Sequence, residues 1–123
     1  MFEVTESKQN YLEIIYLLSK KGSVRAIDVV EMSGYSRPSV SNAVRALRND
    51  GYITIDDTHQ IRLTETGEEI AIAVYERHKC ITEFFAKTLD IDEKTAEENA
   101  CIIEHYITAE FYDAIKKYVE NLK

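Results

Sequence analysis

A mainly α-helical chain, interrupted once by a short β-hairpin and organised as two small units, is what these 123 residues predict. Three observations carry the prediction. Apolar residues recur at helical spacing over most of the chain, a single period-two segment lies near the middle, and there is only one proline. Charge supports the division into two units: residues 1–64 carry eight Lys/Arg and eight Asp/Glu, whereas residues 65–123 carry seven and fourteen, so the whole net charge of −7 belongs to the second half. A balanced half beside an acidic half points to two different jobs.

The first helix starts near Ser7 and runs to about Lys20, with Tyr11, Ile14, Ile15 and Leu18 on one stripe and Gly22 ending the pattern. A short second helix follows from about Ala26 to Met32 and is expected to bury Ile27, Val29 and Val30. In SGYSRPSVSNAVRALRNDGYI, Ser33-Gly34 make a turn, Ser36 can cap a third helix, and Pro38 falls in its first turn, where a missing N–H costs nothing. Val40, Ala43, Val44 and Leu47 form that helix's inner stripe and Gly51 terminates it. Two helices of this length across a glycine-containing turn are the signature of a helix-turn-helix. The outer face holds Ser36, Arg37, Pro38, Ser39, Ser41, Asn42, Arg45 and Arg48, with no acid before Asp50. Arginine and asparagine pair with guanine and adenine edges, and serine and arginine also bind phosphate, so this face is expected to read double-stranded DNA. A merely solvated face would not be so cleanly basic in so acidic a chain.

YITIDDTHQIRLT alternates at period two, setting Ile53 and Ile55 against Ile61 and Leu63 around an Asp57–Gln60 turn. A hairpin directly after a reading helix makes the fold a winged helix-turn-helix. His59 and Arg62 lie on the wing within reach of a DNA backbone, although simple exposure serves His59 equally well. Thr64 then caps a long helix with Glu65, Glu68 and Glu69 in its first turns, as the helix dipole favours. Ala71, Val74, Tyr75, His78, Ile81 and Phe85 share one of its stripes, and a histidine among apolar neighbours requires a partner.

After a break at Leu89–Asp92, a further helix is expected to run to about Ile107, burying Ala96, Ala100, Ile103 and Ile107, with Glu97, Cys101 and Glu104 beside them. Cys101, Glu104 and His105 stand at i, i+3 and i+4, so on a continuous helix their side chains converge within one turn and could grip a metal ion. Core packing for Cys101 and solvation for Glu104 are the plain alternatives. Thr108 caps a last helix whose Phe111, Tyr112, Ile115, Tyr118, Val119 and Leu122 exceed what so small a unit can cover alone. A two-fold interface burying Phe111, Ile115, Tyr118 and Leu122, with Phe84 or Phe85, would cover it. The fold class is therefore mainly α: a winged helix-turn-helix DNA-binding domain over 1–70, then an all-helical metal-binding and dimerisation domain over 71–123.

No apolar run approaches the roughly 20 residues that span a bilayer, and MFEVTESKQN lacks the pattern of a secretory leader, so a cytoplasmic protein without membrane partners is expected. Cys80 and Cys101 accordingly read as thiols or ligands rather than a disulfide. The absence of His-Glu-x-x-His or similar spacing argues against a metalloenzyme. A winged-helix regulator that answers a redox or other signal, with Cys and His as core residues, is the alternative to a metal sensor.

NYLEIIYLL, SRPSVSNAVRALRNDGYI, IRLTETGEEIA, ERH at 76–78 and CIIEHY together resemble the diphtheria-toxin-repressor family of iron- and manganese-dependent transcription regulators, in its short manganese-regulator branch. The resemblance covers nearly the whole chain. It implies a metal held between the first helix and the second domain, with Asn10, Glu13, His78, Cys101, Glu104 and His105 as ligands, and a homodimer on a palindromic operator. Manganese members carry aspartate at the place of Asn10 and glutamate at that of Cys101. Iron members share Cys-x-x-Glu-His but carry methionine at position 10. A family acid four residues beyond His78 is replaced by Thr82, with Glu83 and Glu97 nearby. The SH3-like domain of the longer iron members is not expected. Fe2+ or Mn2+ is the expected activator, with Co2+ or Zn2+ able to occupy the site in vitro, and a buried Cys101 thiolate is expected to tilt selectivity towards iron.

Overall fold

In the computed structural model, which describes residues 4–122, the order is α1 (Glu6–Ser19), α2 (Ala26–Ser33), α3 (Arg37–Asn49), β1 (Ile53–Ile55), β2 (Ile61–Leu63), α4 (Glu65–Thr88), α5 (Glu93–Ile103) and α6 (Ala109–Asn121). Two compact units divide the chain within α4, one extending to Ile72 and the other starting at Ala73. Among the described residues no helix is long and apolar enough to cross a membrane.

The first unit is a winged helix-turn-helix. Thr5 caps α1 by accepting the Lys8 N–H, Asp28 folds back onto the Arg25 N–H at the start of α2, and Gly34 closes α2 at φ 74°, a left-handed conformation that suits glycine. Ser36 caps α3 by accepting the Ser39 N–H, and Pro38 sits in the first turn. The wing pairs Ile53 with Leu63 and Ile55 with Ile61, and Val24 bridges to Ile61 from the other side. Leu12, Ile15, Val24, Val29, Val40, Leu47 and Ile53 are the core onto which α1, α3 and the wing pack. Burial differs from expectation at Ile27, which is 41% exposed. A helix of eight residues turns only one narrow face inward, and Val29 takes it.

Thr64 joins the wing to α4 by donating to the Gly51 carbonyl and accepting the Gly67 N–H. Gly67 is required there for space, because a Cβ would lie 2.0 Å from the Tyr52 carbonyl oxygen.

In the second unit Ile81, Ala100, Ile115 and Val119 form a small core, with Phe84, Phe85, Ile103 and Tyr112 packed against it. Asp92 caps α5 and Thr108 caps α6 through the N–H groups of Thr95 and Phe111. Two expectations need correction. First, α5 ends at Ile103, not near 107; Glu104 is its C-cap and the chain turns through Tyr106. Second, Ile115 belongs to this unit's own core, whereas Phe111, Tyr118 and Leu122 remain 56%, 50% and 43% exposed.

Candidate metal centre and nucleic-acid interface

The second unit buries a carboxylate between two imidazoles. Glu104 is 1% exposed, its Oε2 lies 2.9 Å from His78 Nδ1, and its Oε1 lies 3.3 Å from His105 Nε2. Position explains this: His78 is on the inward stripe of α4, and Glu104 follows Ala100 by four residues, so it inherits the core-facing direction at the helix end. Burial alone would raise the Glu104 pKa. The hydrogen bonds and charges of His105 and His78 outweigh burial and hold its carboxyl below the usual range. Arg77, buried on α4 with its guanidinium 5.8 Å from the Tyr112 ring centroid, adds a cationic field. Burial lowers the Arg77 pKa while Glu104 works to raise it. The one mark of Arg77 in the sequence is its place next to His78.

These residues fit a divalent ion. Oε1 of Glu104 is buried and makes no hydrogen bond of good geometry, and an imidazole nitrogen stands beside each of the two carboxylate oxygens. One carboxylate and two imidazoles are a donor set matched to first-row divalent metals. Nearby, Glu97 Oε1 stands 3.7 Å from His78 Nε2. Thr82 turns its hydroxyl back to the His78 carbonyl and Glu83 pairs with Lys87.

Cys101 departs from the expectation of a buried thiolate: it is exposed. Helical geometry holds through Glu104, whose N–H donates to the Ala100 carbonyl at 2.9 Å. Glu104 shares the inward direction of Ala100, whereas Cys101, one residue on from Ala100, stays on the outer side of the last helical turn. In the first unit, α1 carries Asn10 half-buried and Glu13 buried, three residues apart.

The reading face stands as an exposed row on α3: Ser36, Arg37, Pro38, Ser39, Ser41, Asn42, Arg45 and Arg48 all face solvent. The first turn of α3 holds no acid, and Asp50, the nearest carboxylate after the helix, is taken up by an ion pair with Lys8. On the wing, His59 adopts φ 63° at the turn, and Arg62 is held by Gln60.

A basic reading helix in a winged helix-turn-helix, followed by a helical unit with a buried carboxylate–imidazole cluster, defines a ligand-responsive transcription regulator. Residues 3–59 match the family described as iron dependent repressor, N-terminal DNA binding domain, and residues 64–123 match iron dependent repressor, metal binding and dimerisation domain. The chain belongs to this family of metal-dependent repressors, which are regulators and not enzymes. It is 32% identical over 122 residues to an uncharacterised HTH-type transcriptional regulator of Methanocaldococcus jannaschii, covering 98% of each chain. It is 29% identical to the HTH-type transcriptional regulator MntR of Lysinibacillus sphaericus, over 97% of this chain and 86% of that one. The structure of the manganese regulator SloR superposes with a TM-score of 0.82 at 27% identity, over 92% of this chain; the chain spans 53% of that longer one.

Proposed function

We propose that this protein is a cytoplasmic, homodimeric repressor of metal-ion homeostasis genes that binds a palindromic operator when Fe2+ or Mn2+ is bound. The observation that carries the reading is Glu104, fully buried between His78 and His105, in the domain that follows a basic reading helix.

His78, Glu104 and His105 would hold the ion, with Asn10 and Glu13 of α1 and the thiol of Cys101 as the remaining ligands. When bound, the ion supplies positive charge and a fixed coordination geometry. Glu104 would then have its charge met without solvent, and His78 and His105 would each offer the ion one ring nitrogen. Asn10 and Glu13 share one side of α1 at i, i+3, so recruiting both orients the helix that supports the reader. Phe111, Tyr118 and Leu122 supply the apolar surface for the second copy. Two reading helices held in this way meet half-sites about one turn of DNA apart, roughly 34 Å. Arg37, Asn42 and Arg45 then face base edges, while Ser36, Ser39, Ser41 and Arg48 take phosphates.

Co2+ or Zn2+ can occupy the same donors in vitro, and Cys101, as the one soft donor, favours iron over manganese. Enrichment of DNA from a random-sequence library, run in parallel with Fe2+, Mn2+ and chelator, tests the function. An inverted-repeat motif recovered only with metal supports it. The same motif recovered with chelator would show a regulator that does not sense metal.

A further inference from the structure

Asn10 is tied to the turn that precedes the reading helix. Its Nδ2 donates to Tyr35 Oη at 2.7 Å, and the Tyr35 ring packs on that of Tyr11, one residue along α1, with centroids 5.5 Å apart. Tyr11 is itself buried in the first unit's core. At its other end Tyr35 is fixed by its backbone N–H, which donates to Ser33 Oγ, and it directly precedes Ser36, the N-cap of α3. Asn10, Tyr35, Ser36, Ser39 and Asn42 all line one groove of about 790 Å3, so the contact lies on the side of the unit that carries the reader.

An amide is planar, and its two polar atoms point in divergent directions. Committing Nδ2 to Tyr35 therefore fixes where Oδ1 points, and Oδ1 is the atom of the Asn10 side chain that can ligate a cation. A carboxylate at this position could only accept from the phenol; asparagine makes Tyr35 the acceptor and leaves the phenol hydrogen available to a further acceptor.

Resting on the functional reading above, we propose that Tyr35 is a positioning residue that links occupancy at Asn10 to the N-terminal end of α3. Without metal the side chain of Asn10 is held through Nδ2 by Tyr35; with metal it is held at both polar atoms, and the turn from Gly34 to Ser36 is held with it. Linkage requires the effect to be reciprocal, so DNA that immobilises this turn tightens metal binding by the same factor.

The test is a double-mutant cycle with Tyr35→Phe, which keeps the ring on Tyr11 and deletes Oη, and Asn10→Ala. Metal affinity is read by competition with a fluorescent chelator, with and without the operator duplex, and the melting temperature of the apoprotein serves as the folding control. For the parent, metal and operator should each tighten binding of the other. In Tyr35→Phe that mutual factor should fall about 2- to 10-fold, the range set by one neutral hydrogen bond, with the apoprotein still folded and melting in one cooperative transition. In the Asn10→Ala background, Tyr35→Phe should have no further effect. A parent that shows no mutual effect defeats the functional reading itself. A parent that shows it, with Tyr35→Phe equally coupled or with additive losses in the double variant, overturns the role of Tyr35 alone.

Discussion

His78 on α4 and Glu104 at the end of α5 are 26 residues apart in sequence and joined by a 2.9 Å contact between Nδ1 and Oε2. Each residue explains the other's burial. An imidazole on an apolar stripe needs a polar partner, and a carboxylate with 1% exposure needs cations or donors on both oxygens. His105 attends the second oxygen. Glu104→Gln keeps the shape and removes the charge. Metal affinity measured by chelator competition should fall at least about 10- to 100-fold, the loss met when only a supporting partner of a ligand is removed. His78→Ala should fall as far.

At the reader, Asn42→Ala should cost about 1–3 kcal/mol of discrimination between operator and mismatched duplexes. Arg48→Ala, which removes a proposed phosphate contact, should weaken all sequences alike and flatten the salt dependence. Competition binding over a set of single-base operator variants separates the two patterns.

Phe111 and Tyr118 are exposed on α6 within the single chain. Tyr118→Asp places a charge on the surface assigned to the second copy, and a buried aromatic at such an interface is worth about 2 kcal/mol or more. Sedimentation velocity at micromolar concentration should show a dimer for the parent and a shift to monomer for the variant.

Gly67→Ala puts a Cβ 2.0 Å from the Tyr52 carbonyl, a backbone atom that cannot rotate away. Thermal or urea unfolding should show a loss of about 1–3 kcal/mol. Glu69→Ala, two residues on and exposed, should stay within about 0.5 kcal/mol of the parent.

The Asp92 carboxyl lies below its ordinary range because the Thr95 backbone N–H and then its hydroxyl donate to it. A depressed folded pKa gives stability that is present above the unfolded value, about 3.9, and lost as pH falls through the lower folded one. Melting curves from neutral to acid should therefore show parent and Asp92→Ala converging below about pH 4, with the parent ahead above it.

The winged helix-turn-helix was legible because its signals are local: the Ser36 cap, Pro38 in the first turn of α3, the left-handed Gly34 and the period-two wing each act within a few residues. Phe111, Tyr118 and Leu122 were legible as apolar surplus for the same reason. The end of α5 was not, since CIIEHYI keeps helical spacing past the place where the chain turns to reach the Thr108 cap. Cys101 lies beside the Ala96–Ala100 stripe, which predicts burial, but that stripe is narrow and leaves it exposed. Gly67 and Arg77 escaped notice because their reasons lie far along the chain, at Tyr52 and at Glu104 and Tyr112. Tyr35 escaped because no pattern in the sequence ties a turn residue to Asn10, 25 positions earlier.

The most direct test of metal-dependent repression is the fluorescence anisotropy of a labelled operator duplex titrated with protein at fixed salt, with Fe2+ kept reduced, with Mn2+, or with chelator, for the parent and Glu104→Gln. The account predicts that metal tightens binding by the parent by about 5- to 150-fold, the usual span of such couplings, and leaves Glu104→Gln near its chelator value. Equal operator affinity of the parent with metal and with chelator would contradict it.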